Sequence, residues 1–309
     1  MEGNIKNILI VGPTASGKSE LAHLLGRKLG FRIISADSRQ CYKYLDIGTA
    51  KPSNSYLSEL EYKNISILNP KEPDNAKLFL NRFVHWQNQS NSSNIVVGGS
   101  TLYQQALLFG FDSVPDSNES NLLQLEDELN QNGIEYLFDR LKKVDPIYAL
   151  KMDGFNKQRI LRALDVFMQT GKPFSSYHST NVTSKPKDWF VIYPTVSKEV
   201  LKERINSRVD QMISNGLLNE ISTLLQMGFT FSDPGFNSIG YKEWEEYINQ
   251  TQSLQETIQR IKTNSWQYAK RQLTWLKRWD FLNTYDISQG ISNHNLQKIL
   301  NDYSAFLSE

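Results

Sequence analysis

"ILIVGPTASGKSELAHLL", Ile8 to Leu25, runs four apolar residues into a glycine-bounded turn and then into Lys18 and Ser19 at the head of a helical pattern. Gly12 to Ser19 match G-x-x-x-x-G-K-[ST] in full. In such a loop the backbone of Gly12, Pro13, Thr14, Ala15, Ser16 and Gly17 curls so that successive amides face one anion. Lys18 adds a cation, the helix that starts there adds its positive end, and the Ser19 hydroxyl suits a magnesium ion. A buried strand before the loop and an amphipathic helix after it supply the context this mechanism needs. The stretch is therefore read as a diphosphate- or nucleotide-binding loop of the ATP-binding type. Which phosphates it holds, and which bond breaks beside them, it does not say.

Working outward, Ile5–Val11 reads as a strand and Lys18–Leu29 as a helix capped by Gly30. Arg32–Ser35 and Ile95–Val97 read as further strands, the second entered from the polar loop 88–94, with a helix over Ala76–Gln87 between them. This alternation predicts an α/β protein with a parallel sheet. From Pro115 to Tyr177 only helical patterns appear, over Glu119–Asn130, Ile134–Lys143 and Asn156–Gln169. A strand returns at Trp189–Tyr193, after the loop 179–187, and helices dominate onwards. The expected organisation is a P-loop NTPase-like parallel-sheet core, 1–112 and 187–309, with an all-helical insertion at 113–186.

The 309 residues carry a formal net charge of +1 and a single cysteine, Cys41, which excludes an internal disulfide and a cysteine-based zinc site. No apolar run has membrane-span length and the first residues have no secretory character, so a cytoplasmic protein is expected. Charge is unevenly spread. Arg260, Lys262, Lys270, Arg271, Lys277 and Arg278 lie between Gln259 and Trp279 without an acidic residue, interleaved with Trp266, Tyr268, Trp275 and Trp279. Such a run is either a solvated helix face or an RNA-binding surface. Asp37 falls just past the second strand, at the sheet edge where ligands bind. It suits a magnesium ligand, a general base, or a cap on the amides of Arg39 and Gln40.

"ISADSRQ" (Ile34–Gln40) and "DIGTAKP" (Asp46–Pro52), set beside the phosphate loop, resemble the tRNA dimethylallyltransferases, the isopentenyltransferases that act on tRNA. "VVGGSTLYQQALLFG" from Val96, "QRILRALDVFMQTGKPFS" from Gln158, "RVDQMISNGLLNEI" from Arg208, "SIGYKEW" from Ser238 and "YAKRQLTWLKR" from Tyr268 continue the resemblance in order along the chain. It implies transfer of a dimethylallyl group from dimethylallyl diphosphate to N6 of the adenosine 3′ of the anticodon, with Mg2+. The anticodon stem-loop would be held by an inserted tRNA-binding domain. It further implies Asp37, Ser100 and Arg208 as catalytic and the loop Gly12–Ser19 as the diphosphate site, with Ser19 on the metal. Asp37, Ser38, Arg39 and Gln40 would read the adenine, and Gln158, Arg159, Ile160, Leu161, Arg162, Lys270 and Arg271 would hold the tRNA. A monomer is expected.

The chain departs from the family pattern at several places. Ser100 stands for a threonine, "YKNISIL" (Tyr62–Leu68) lacks the usual histidines, and "KMDGFNK" (Lys151–Lys157) replaces a different motif. Leu122 and Trp266 occupy positions where the family commonly has arginine. If both faced the anionic substrates, each would remove a contact worth roughly 1.5–3 kcal/mol. The alternatives to a divergent but active member are a small-molecule P-loop kinase, with the insertion's arginines as its lid, and a tRNA-binding paralogue of low activity.

Overall fold

The computed structural model describes residues 5–90, 92–110, 114–177 and 185–308. Residues 178–184 of the expected loop before Trp189, Asn91 of the loop 88–94, and the expected core–insertion boundary at 112/113 lie outside these. The chain divides into two compact units, residues 1–109 with 185–309, and residues 110–184.

The first unit is built on six parallel strands in the order β3-β2-β4-β1-β5-β6. They are β1 (Asn7–Ile10), β2 (Ile33–Ser35), β3 (Tyr62–Lys63), β4 (Ile95–Val97), β5 (Trp189–Thr195) and β6 (Asn283–Asp286). β1 sits at the centre, with Ile8 opposite Ile95 on one side and opposite Phe190 on the other. All four of its side chains are buried, as a strand covered on both faces requires.

Alternation along β1 divides the core. Ile8 and Ile10 pack with Leu21, Leu25, Ile299 and Phe306 on α1 (Lys18–Leu29) and the C-terminal helix Asn293–Ser308. Leu9 and Val11 face the other way, onto Phe79 and Phe83 of the helix Ala76–Ser90 and Tyr103 and Leu107 of the helix Thr101–Phe109. Between β2 and β3 runs α2 (Asn54–Glu59), which buries none of its own side chains. Burial at 3.6-residue spacing explains why the helix Lys18–Leu29 is legible in the sequence to the residue, with Gly30 closing it in the left-handed region.

A further cluster gathers Val209 and Met212 of the helix Lys198–Ser214, Leu217, Ile221 and Leu224 of the helix Leu217–Gln226, and Tyr241 and Trp244 at the short helix Trp244–Ile248. Ile261 joins it from the long helix Leu254–Leu276, which opens with a capping box between Ser253 and Glu256.

The second unit is helical. Glu119–Val144 is broken at Gly133 (φ 82°), so it forms the two expected helices. Pro146–Leu150 and Lys157–Thr170 follow, the latter capped by the Asn156 side chain. Numbered in chain order, the helices from Ala76 to Thr170 are α3 (Ala76–Ser90), α4 (Thr101–Phe109), α5 (Glu119–Val144), α6 (Pro146–Leu150) and α7 (Lys157–Thr170). Those after β5 are α8 (Lys198–Ser214), α9 (Leu217–Gln226), α10 (Trp244–Ile248), α11 (Leu254–Leu276) and α12 (Asn293–Ser308). Among the described residues no helix is long and apolar enough to cross a membrane.

Candidate active site

The phosphate loop leaves the carboxyl end of β1 and enters α1 through Gly17, whose φ of 85° a side-chain-bearing residue adopts only with strain. No side chain caps α1, so its first amides are left for a ligand. The Ser16 hydroxyl is buried without a hydrogen-bond partner. A buried orphan of this kind beside the uncapped head of a helix is the arrangement that suits an anion. Lys18 Nζ donates to the carbonyl of Pro13 at 2.9 Å.

Two connected compartments lie over this loop at the carboxyl ends of the strands. The smaller, about 60 Å³, is lined by Lys18, Ser19, Gly98 and Gly99; the larger, about 350 Å³, by Arg39, Ile205, Val209, Met212 and Ile261. Thr14, Asp37, Arg208 and Tyr268 line both and mark their junction.

Charges at the junction are unbalanced. Burial and the nearby Arg208 pull the Lys18 ammonium down to about 8, against a partial opposing effect of Asp37. Burial also lowers Arg208, again opposed by Asp37. Two desolvated cations thus share one carboxylate, which favours an incoming anion. Arg208 forms no surface ion pair with Asp210 or Glu203 among the described residues: Asp210 holds Lys262 at 2.6 Å, and Arg208 donates to the carbonyl of Thr49 at 3.5 Å.

Asp37 takes up one of its expected uses, the cap on the amides of Arg39 and Gln40. Its Oδ1 accepts from the amides of Arg39 (2.8 Å) and Gln40 (3.4 Å), capping the turn; its Oδ2 accepts no hydrogen bond from the described residues. Ser100 Oγ accepts from the Ser38 amide (3.0 Å) and donates to Ser38 Oγ (3.2 Å), so it fixes the "DSRQ" turn. Gln40 is likewise engaged internally. Its amide donates to the carbonyls of Thr49 and Ala50, and its oxygen accepts from Ser35. Burial, then the charge of Asp37, push the Tyr268 phenol up to about 12, so it stays a donor at the junction.

One site residue escaped the sequence reading. Gln272 accepts from the Thr14 amide (2.9 Å) and donates to the carbonyl of Gly99 (2.7 Å), tying α11 to the phosphate loop and to the end of β4. Only its place one turn after Tyr268 on the same helix hinted at this.

Several expected tRNA contacts need correction. Ile160 and Leu161 are buried in the insertion's core, because α7 turns that face toward Leu125, Leu137 and Leu141. Arg162 is tied to Asp165 at 2.8 Å and to the carbonyl of Pro115, a structural anchor within its own unit. Gln158 and Arg159 are exposed on the first turn of α7. Leu122 packs against the same core, and Trp266 packs with Ala15, Leu201 and Ile205 behind the phosphate loop, so neither apolar side chain stands exposed where a cation would be.

The basic run, which extends from α11 to the residues just past it, also divides. Arg260 pairs with Glu246 and Lys262 with Asp210, while Lys270, Arg271, Lys277 and Arg278 stay exposed without an ion pair among the described residues. Its tryptophans are mostly core: Trp275 and Trp279 pack under the sheet, with Arg278 lying 4.4 Å over Trp275.

Fold and site define the class: a P-loop-type α/β protein with a buried, cation-rich anion site and an inserted helical unit. A family model described as IPP transferase matches residues 40–279, and the chain belongs to that family. It is 40% identical over 278 residues to the tRNA dimethylallyltransferase of Aquifex aeolicus, covering 89% of this chain and 90% of that one. The crystal structure of full-length tRNA isopentenylpyrophosphate transferase from Bacillus halodurans aligns with TM-score 0.71 at 31% identity, over 98% of this chain and 97% of that one. Crystallographic snapshots of a eukaryotic dimethylallyltransferase acting on tRNA align with TM-score 0.80 at 26% identity, over 97% of this chain and 80% of that one.

Proposed function

We propose that this chain transfers a dimethylallyl group from dimethylallyl diphosphate to N6 of the adenosine 3′ of the anticodon in tRNA, releasing diphosphate. The observation that carries the reading is the junction itself: Asp37, with one carboxylate oxygen that accepts no hydrogen bond from the described residues, is the counter-charge of Lys18 and Arg208 where two compartments meet. A kinase needs its cations around a transferred phosphoryl group. Of the insertion's arginines, Arg140 is paired with Glu128 and Arg162 with Asp165, which leaves little of the lid that a kinase would require.

In the reaction, the N6 lone pair attacks C1 of the dimethylallyl group, the C1–O bond breaks, and the diphosphate leaves with the electron pair. The proton lost from N6 goes to Asp37 Oδ2. Charge growing on the leaving oxygens is met by the free amides at the head of α1, by Lys18 and by Arg208. The apolar side of the larger compartment (Ile205, Val209, Met212) excludes water from the allylic cation-like carbon. Among the described residues no three His, Cys, Asp or Glu side chains gather around a metal position. Ser19, in the small compartment, would hold a magnesium ion bound with the diphosphate, and there the ion would neutralise leaving-group charge.

The extruded adenine is read by Asp37, Ser38 and Arg39, which line the larger compartment, while Gln40 braces the "DSRQ" turn from within. Exposed Lys270 and Arg271 on α11, and Gln158 and Arg159 on the insertion, contact tRNA phosphates. The test is incubation with magnesium, labelled dimethylallyl diphosphate and unmodified tRNA. Label appears in tRNA with wild-type protein and is lost with Asp37→Ala; tight tRNA binding without transfer would favour a non-catalytic paralogue instead.

A further inference from the structure

The "DIGTA" turn, Asp46–Ala50, supplies the carbonyl that Arg208 touches, and it is held from outside. A single carboxylate, Glu220 in the first turn of α9, accepts from three consecutive amides of that turn: Asp46 (3.0 Å), Ile47 (2.8 Å) and Gly48 (3.4 Å). Tyr241 completes the grip. Its hydroxyl donates to Glu220 Oε1 at 2.5 Å and accepts from the Gly48 amide at 3.1 Å. Its ring lies so close to Gly48 that any side chain there would run into it.

The turn needs this restraint. Tyr44 before it and Ala50 at its end hold φ values of 67° and 47°, which residues with side chains adopt reluctantly. Thr49 Oγ1 closes the turn onto the carbonyl of Leu45 at 2.5 Å, and the Thr49 carbonyl then accepts from Gln40 and from Arg208. That contact is the one hydrogen bond Arg208 makes among the described residues. A shift of the turn therefore passes to the guanidinium through its one hydrogen bond among the described residues.

The geometry points to Glu220, acting with Tyr241, as a positioning residue that sets the Arg208 guanidinium toward the phosphate loop. The inference rests on the proposed function in taking Arg208 to face the diphosphate.

Binding of magnesium diphosphate, followed by calorimetry, tests it in a double-mutant cycle. Glu220→Ala is expected to weaken binding about tenfold and Tyr241→Phe about threefold, and in the Arg208→Ala background each loss shrinks to within about twofold of nothing. A role confined to general stability would lower the unfolding temperature and leave binding by the folded protein unchanged. Equal losses in both backgrounds, or no loss in either, overturn the inference. If Glu220→Ala does not fold, Tyr241→Phe, which removes one hydroxyl, carries the cycle alone. A wild-type protein that binds magnesium diphosphate and transfers no dimethylallyl group overturns the proposed function while leaving the cycle readable. One that binds none overturns both.

Discussion

Asp37 in the core and Asp165 in the insertion are both aspartates beside arginines, and the chain treats them oppositely. Asp165 is fully buried and saturated: it accepts from the Asn118 amide, Asn121 Nδ2 (3.2 Å), Arg162 (2.8 Å) and Gln169 (2.9 Å). Asp37 is half used, with Oδ1 in a cap and Oδ2 free of hydrogen bonds from the described residues, and its charge is the one that opposes the lowering of Lys18 and Arg208. Buried polarity that closes on itself builds structure, and buried polarity left open builds a site. The orphan hydroxyl of Ser16 and the uncapped head of α1 stand on the same side of this divide as Asp37.

The contrast breaks most sharply by mutation. Asp37→Ala is expected to reduce transfer about a thousandfold, the scale of a lost general base, while the missing cap costs only about 1 kcal/mol of stability. Asp165→Ala does the reverse. It strands Arg162 and is expected to cost about 3–5 kcal/mol, read as a lower denaturant midpoint at unchanged slope.

Next in size is Gln272→Leu, which removes two bonds that hold Thr14 and Gly99 together. With about 1 kcal/mol per bond, dimethylallyl diphosphate affinity is expected to fall roughly ten- to thirtyfold, visible as a raised KM.

Lys18 gives a pH signature. Its folded value of about 8 lies below the ordinary 10.5, so across that window the unfolded chain binds more protons and ligand-free stability rises with pH. Diphosphate favours the charged form. Its affinity should therefore weaken as pH climbs past 8, with proton uptake on binding that calorimetry in buffers of different ionisation enthalpy detects. The smallest effect belongs to the open surface of α11, where Lys270→Ala should lower the slope of log affinity for tRNA against log salt by about one.

How much of this was legible follows from where the partners sit. The helix Lys18–Leu29 and the strand Ile95–Val97 declare themselves because their burial repeats locally. β6, "NTYD", buries one side chain in four and β3 has only two residues, so neither shows a run to read. Glu220 and Gln272 were invisible because their partners lie 172 to 174 and 258 residues away. Arg162 misled for a related reason. On a helical wheel it shares the polar face with Asp165, three residues on, and nothing local reveals that the carbonyl of Pro115, 47 residues away, takes it inward. Trp275 and Trp279 misled because an aromatic spacing that suits base stacking also suits packing beneath a sheet.

The central claim is that Asp37 Oδ2 takes the proton while Oδ1 holds the turn. Asp37→Asn separates the two, since an asparagine oxygen still caps Arg39 but its amide cannot accept a proton. Single-turnover transfer of labelled dimethylallyl to tRNA should drop about a thousandfold in this variant while magnesium diphosphate affinity stays within about threefold of wild type. Transfer by Asp37→Asn within about tenfold of wild type would contradict the account.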